Sequence, residues 1–225
     1  MRKAVIILVV LLGLVVAGCG GSSGEVAATS TAAQTDQTAS ADGCTEVAVP
    51  PAKKDGGATK PKERLDPEKT YTLVVKTNCG SFTITLDQAG APATSASLVA
   101  LAKAGFFDAT TFHRIVPGFV IQGGDPTGTG SGGPGYKTVD KPAADATYTK
   151  GVVAMAKTSA EAPGTSGSQF FVVTGEDVGL PPEYAVVGKV TSGQRTVDLI
   201  GTLGDPATEQ PTRPVVITSV TVEAQ

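Results

Sequence analysis

From Phe82 to Leu86 every second residue is apolar, with Phe82, Ile84 and Leu86 set between Thr83 and Thr85. A period of two marks a strand with one buried face. The run 81–87 follows another strand-like run, 71–77, across Asn78-Cys79-Gly80, a link whose Asn and Gly suit a hairpin turn. The pattern then changes. From Pro92 to Ala104 the chain is filled with Ala, Leu and Val. Pro92 fits a first helical turn and Gly105 fits the position just past the end, so a helix is predicted there. Further strands are predicted over 112–116, 119–122, 152–156, 170–174, 185–190 and 215–222, with a second short helix over 194–201. Many short strands and two helices make a mainly β domain, a closed barrel or a sandwich. Periodicity does not separate those two.

The chain has 225 residues, yet all four Tyr and all seven Phe lie at or after Tyr71. Seventy residues without an aromatic contribute little to a packed core. The folded part is therefore placed at 68–225, one ordinary domain that can bury a core without staples. Ahead of it, Arg2 and Lys3 precede an unbroken apolar or Gly run from Ala4 to Ala17. That run is short for a membrane span and suits a signal peptide over 1–18. It ends in Val16-Ala17-Gly18-Cys19, which resembles the bacterial lipoprotein signal with Cys19 as the lipidated first mature residue. A lipid carrying two or more chains anchors stably. These features place the protein outside the cytoplasm, held to the cell membrane. An ordinary secretory signal is the alternative.

Residues 19–67 read as a disordered tether, nearly all Gly, Ser, Thr, Ala and Gln from Gly20 to Ala41. Such a chain spans roughly 35–40 Å. Lys53, Lys54, Lys60, Lys62 and Arg64 make its second half mildly basic, a solvated linker or a weak attraction to anionic headgroups. Once Cys19 is lipidated, Cys44 and Cys79 remain as a disulfide candidate in an oxidising compartment. Two unpaired thiols are the other possibility. One His and three Cys argue against a structural zinc site. A net charge of −3, with no basic cluster in the folded part, argues against nucleic acid as a partner.

Three common motifs occur by chance. Gly128-Thr129-Gly130-Ser131-Gly132-Gly133 matches G-x-G-x-x-G, but Pro134 and Gly135 follow where a phosphate-cradling helix would have to begin. Gly20-Gly21-Ser22-Ser23-Gly24 matches a hydrolase elbow, but it lies in the tether. His113 is the only imidazole available to a nucleophile, and no nucleophile motif accompanies it.

The informative stretch runs Phe112-His113-Arg114-Ile115-Val116-Pro117-Gly118-Phe119-Val120-Ile121-Gln122-Gly123-Gly124-Asp125 and then becomes Gly-rich. It resembles the signature of cyclophilin-type peptidyl-prolyl isomerases. Two further blocks agree in order and spacing: Gly151 to Ala156 with Ser166-Gly167-Ser168-Gln169-Phe170-Phe171, and Tyr184 to Val190. The resemblance covers about Tyr71 to Val222. It implies a closed eight-stranded antiparallel barrel with a helix capping each end. It also implies roles. Arg114 matches the catalytic Arg; Phe119, Met155 and Phe171 match the floor and walls of a proline pocket. Gln122 matches the amide that holds substrate backbone, with Gln169 a nearby polar residue. Ala156 matches the small residue beside the pocket for the residue before proline, and Leu180 an apolar wall.

Some positions depart from the family pattern. Gly179 stands where many members carry Trp, which puts cyclosporin affinity in doubt. Tyr184 stands at the rim where many carry His, and can supply ring surface and a hydroxyl. Lys157 replaces a frequent Asn, and the loop 158–167 looks longer than in compact members. The resemblance implies an isomerase that needs no cofactor, acts on proline-containing polypeptides, assists the folding of exported proteins and works as a monomer. The competing reading is a tethered proline-peptide binding module, or holdase, with little turnover.

Overall fold

The computed structural model describes residues 43–225. The proposed signal peptide, Cys19 and the first half of the tether lie outside the described residues. The chain forms β1 (Tyr71–Thr77), β2 (Gly80–Leu86), α1 (Pro92–Lys103), β3 (Thr110–Thr111), β4 (Arg114–Val116), β5 (Val120–Gly123) and β6 (Thr138–Val139). It continues with β7 (Val152–Met155), β8 (Thr165–Ser166), β9 (Phe170–Val173), β10 (Val186–Ser192), α2 (Gln194–Gly201) and β11 (Val216–Ala224). Both helices fall where periodicity and end signals put them. Pro92 opens α1, and the Asp140 carboxylate accepts hydrogen bonds from Thr94 N–H (2.6 Å) and Ala93 N–H (3.4 Å), a stabilising charge at a helix start. Gly105, at φ +64°, closes the other end: its N–H reaches Ala102 O (3.0 Å) and Phe106 N–H reaches Leu101 O (3.0 Å).

The protein is mainly β with two helices, as expected, but the count and closure differ from the eight-stranded closed barrel. Nine strands form one antiparallel sheet in the order β3-β11-β1-β2-β10-β7-β9-β5-β4, with β6 and β8 paired separately. The hydrogen-bonded ladder does not close. Its edge strands, β3 and β4, are consecutive in the chain and are joined only by Phe112 and His113. Pairs of two residues, such as β3, β6 and β8, carry no period that a sequence pattern could register.

The central strands are buried on both faces, and alternation sorts their side chains. Val153, Met155, Phe170, Val172, Ile121 and Val187 join the main core with Phe82, Phe112 and both helices' apolar residues. Ala154, Phe171, Val173 and Val120 point the other way, into a smaller cluster with Tyr148. That second cluster underlies the site.

The described part of the expected tether, 43–67, is a strap laid on the domain rather than a free linker. Cys44 is disulfide-bonded to Cys79 in the β1–β2 turn. Thr45 N–H donates to Asn78 O (2.7 Å), Gly56 N–H to Gly133 O (2.9 Å) and Ala58 N–H to Pro134 O (3.0 Å). The Lys53 ammonium donates to Gly105 O, Phe106 O and Asp108 O at 3.1, 2.7 and 3.0 Å, just beyond the end of α1. Of this segment, Cys44 is buried in the core and Ala58 and Leu65 pack against it. Composition predicts disorder because the strap has little to bury; backbone hydrogen bonds, the Lys53 and Lys60 ammoniums and a disulfide hold it instead.

Candidate active site

Antiparallel register assembles the site. Arg114 on β4 stands opposite Gln122 on β5, Gln122 opposite Phe171 on β9, and Phe171 opposite Ala154 on β7. Cross-strand partners share a face, so one row carries a guanidinium, an amide and an aromatic ring. A cavity of about 300 Å³ lies over it, lined by Arg114, Phe119, Val120, Gln122, Ala156, Lys157, Phe171, Leu180 and Tyr184.

A chain of hydrogen bonds runs along the polar edge. Arg114 Nε donates to Glu209 Oε2 (2.7 Å), and Nη1 donates to Gln122 Oε1 (3.4 Å). Gln122 Nε2 donates to Gln169 Oε1 (3.0 Å). Gln169 Nε2 donates in turn to Gly130 O and Gly132 O, both at 2.9 Å. The guanidinium is thus tied at Nε by Glu209 and at Nη1 by Gln122, and Arg114 lines the cavity. Arg114 keeps 35% of its side-chain exposure, enough for a substrate to reach it.

The apolar wall has its own support. Phe171 and Tyr184 meet edge to face at 5.6 Å between centroids, and Tyr148 packs edge to face on Tyr184 at 6.0 Å. Tyr148 OH donates to Tyr184 O (2.7 Å) and accepts from Tyr184 N–H (3.0 Å). Burial pushes the Tyr148 hydroxyl above its ordinary pKa, so it remains a donor. The Lys157 side chain, 2% exposed, lies over the Tyr184 ring at 5.4 Å and pairs with Glu183 at 2.9 Å.

Most of the residues singled out in the sequence come together here: Arg114, Phe119, Gln122, Ala156, Phe171, Leu180 and Tyr184 line the cavity, with Gln169 one hydrogen bond away. Met155 does not. It is fully buried in the main core, on the opposite face of β7 from Ala154 and Ala156. Met155 is opposite Phe170, and Phe171 is opposite Ala154, so Met155 and Phe171 cannot share a wall. Val120 takes that place, and its spacing of two from Gln122 is the signal that would have found it. Sequence reasoning does not find Glu209 or Tyr148, and it notes Lys157 only as a departure from the family pattern. Glu209 comes from a turn in which Ile115 N–H donates to Glu209 O (2.9 Å), a contact no local pattern foretells. The Gly-rich run forms a loop around Asp125 rather than a nucleotide site: no helix follows it.

The site is thus an apolar cavity in a curled antiparallel sheet, edged by one guanidinium and two amides. Comparisons with known proteins give the family. The family described as cyclophilin type peptidyl-prolyl cis-trans isomerase/CLD matches residues 72–222. A probable peptidyl-prolyl cis-trans isomerase A of Mycobacterium leprae is 39% identical over 169 residues, covering 67% of this chain and 91% of that protein. Peptidyl-prolyl cis-trans isomerase B of Streptomyces anulatus is 38% identical over 177 residues, covering 70% and 99%. The crystal structure of a Cryptosporidium parvum cyclophilin in the presence of the dipeptide Ala-Pro aligns with TM-score 0.63 and 31% identity, covering 68% of this chain and 98% of that one. The chain belongs to the cyclophilin-type peptidyl-prolyl cis-trans isomerases, and it is an enzyme of that class.

Proposed function

We propose that this isomerase is anchored outside the cytoplasmic membrane by a lipid on Cys19 and turns X-Pro bonds in exported polypeptides. The lipoprotein-like ending Val16-Ala17-Gly18-Cys19 supports the anchor. The observation that carries the catalytic assignment is the Arg114 guanidinium, buttressed by Glu209 at the edge of a cavity walled by Phe119, Val120 and Phe171.

The chemistry follows from the amide. Partial double-bond character makes the C–N barrier ~18–20 kcal/mol. An uncatalysed X-Pro bond turns over tens to hundreds of seconds. At the twisted geometry the prolyl nitrogen regains its lone pair. A guanidinium N–H aimed at it stabilises the transition state more than the planar ground state, which is what accelerates the step. The apolar wall holds the pyrrolidine ring and favours the less polar twisted amide. Gln122 holds the chain while the other end rotates. A charged hydrogen bond supplies ~1.5–3 kcal/mol. Positioning by Glu209, Gln122 and Gln169 therefore has to contribute beside it.

Arg114→Ala tests the assignment. Full-length protein in detergent should turn an Ala-Pro peptide, and the variant should lose about 10²–10³-fold in kcat/KM, as for a removed transition-state donor, with an unchanged melting temperature. Equal turnover in the two forms would sink the role of Arg114. Background turnover in folded wild type across a peptide panel would leave a binding module. Metabolic lipid labelling that persists in Cys19→Ser would refute the anchor.

A further inference from the structure

The strap runs along the outside of the Gly-rich loop and meets it residue after residue in the same chain direction. Lys53 N–H donates to Pro126 O (2.8 Å), Gly56 N–H to Gly133 O (2.9 Å), Ala58 N–H to Pro134 O (3.0 Å) and the Lys60 ammonium to Lys137 O (2.8 Å). The approach is close: a Cβ on Gly135 would lie 3.0 Å from Gly57 N and 3.1 Å from Gly56 Cα. Among these contacts sits Asp55, whose Oδ1 accepts the Gly133 N–H at 2.8 Å. That N–H belongs to the peptide joining Gly132 to Gly133. The carbonyl of the same peptide, Gly132 O, accepts Gln169 Nε2 at 2.9 Å. One backbone amide therefore carries the Asp55 carboxylate on its donor side and Gln169 on its acceptor side.

Followed from the other end, four hydrogen bonds point one way. Arg114 Nη1 donates to Gln122 Oε1, Gln122 Nε2 to Gln169 Oε1, Gln169 Nε2 to Gly132 O, and Gly133 N–H to Asp55 Oδ1. The two ends dictate how both Gln amides lie: a guanidinium can only donate, and a carbonyl can only accept. The chain starts on a cation and ends on a carboxylate, so its dipoles line up head to tail and strengthen one another. Asp125 holds the inner side of the loop by accepting from Gly130 N–H and Gly132 N–H. The outer side of the Gly132–Gly133 peptide is held by the strap. We infer that Asp55 is a positioning residue of the isomerase: through that peptide it orients Gln169 and Gln122, and with them the Arg114 guanidinium. A segment upstream of the whole sheet thereby helps to set turnover. The inference rests on the role of Arg114 at the prolyl nitrogen.

Asp55 is exposed, so the effect is moderate. The test uses full-length protein in detergent and an Ala-Pro peptide at about 10 °C, where the uncatalysed reaction takes minutes. Asp55→Ala should lower kcat/KM about three- to tenfold, the worth of one hydrogen bond. Asp55→Asn keeps an oxygen for the Gly133 N–H and should recover most of that loss. A merely structural role would make the loss add to that of Gln169→Ala. Action through Gln169 requires that Asp55→Ala cost nothing further in a Gln169→Ala background. Unchanged kcat/KM in Asp55→Ala, no recovery in Asp55→Asn, or additive losses would each overturn the inference. The Gln169 side-chain NH2 resonances, followed by NMR, report on the same chain without turnover. They should shift in Asp55→Ala and return in Asp55→Asn; resonances that stay in place overturn the inference as well. If Arg114→Ala keeps full turnover, the role of Arg114 fails separately, and the NH2 resonances then decide whether Asp55 orients Gln169.

Discussion

Asp125→Asn should weaken both the domain and its site, although the residue touches no substrate. Asp125 is fully buried, and its carboxylate accepts four hydrogen bonds. Oδ1 takes Thr127 N–H (2.7 Å) and Thr127 Oγ1–H (2.8 Å); Oδ2 takes Gly130 N–H (2.6 Å) and Gly132 N–H (3.1 Å). The loop wraps so closely that a Cβ on Gly132 would collide with Oδ1, which is why glycine recurs here without any phosphate to bind. Burial raises the Asp125 pKa, but the bonds from Thr127, Gly132 and Gly130 outweigh it and hold the group below the ordinary carboxylate value. An Asn amide replaces one oxygen by an NH2 donor, so two of the four loop donors lose their acceptor. At ~1–3 kcal/mol for each unsatisfied group, the cost is about 2–6 kcal/mol. For a domain of this size that lowers Tm by roughly 5–20 °C. The loop also presents Gly130 O and Gly132 O to Gln169, so the Gln169–Gln122–Arg114 chain loosens and kcat/KM at 10 °C should fall about tenfold, or ~1.4 kcal/mol. Calorimetry and a prolyl-peptide assay measure both effects. A Tm within 2 °C of wild type with unchanged turnover would refute the claim that this carboxylate organises the loop. The sign with pH follows from the depressed pKa: the contribution is complete above 3.8 and disappears as pH falls through the lower folded value.

His113, the chain's only His, titrates in a higher window. Burial lowers its pKa from 6.5, with the Asp125 charge pulling the other way. The folded state resists that proton, so stability should be full above pH 6.5 and fall as pH drops through the lowered value. Urea unfolding at pH 7.5 and 5.5 should show a loss that His113→Gln abolishes; equal losses in both forms would refute it. Met155→Ala should cost ~2–5 kcal/mol by opening a core cavity. The fraction that stays folded should keep its kcat/KM within about threefold, because Met155 faces away from the cavity. A large kcat loss in folded Met155→Ala protein would put this residue back at the site.

Local signals carried much of this protein. The alternation of Phe82, Ile84 and Leu86, the Pro92 and Gly105 helix ends, and three blocks in one order determined a mainly β domain and most of the residues at its cavity. The alternation and the helix ends are legible because they reflect backbone geometry over a few residues; the cavity residues came from the resemblance that the three blocks carry. What the sequence left undecided needs contacts between distant segments. Strands β7 and β9 are apolar on both faces, so alternation divides Met155 from Ala156 without saying which side meets the core. Only the register with Phe170 and Phe171 settles that. Glu209 reaches Arg114 across 95 residues and Asp55 reaches Gly133 across 78, separations at which neither composition nor period has anything to report. Composition predicts disorder over 19–67, which includes the strap 43–67, for the same reason. Its order comes from hydrogen bonds offered by the folded domain, and these exist only once that surface has been built.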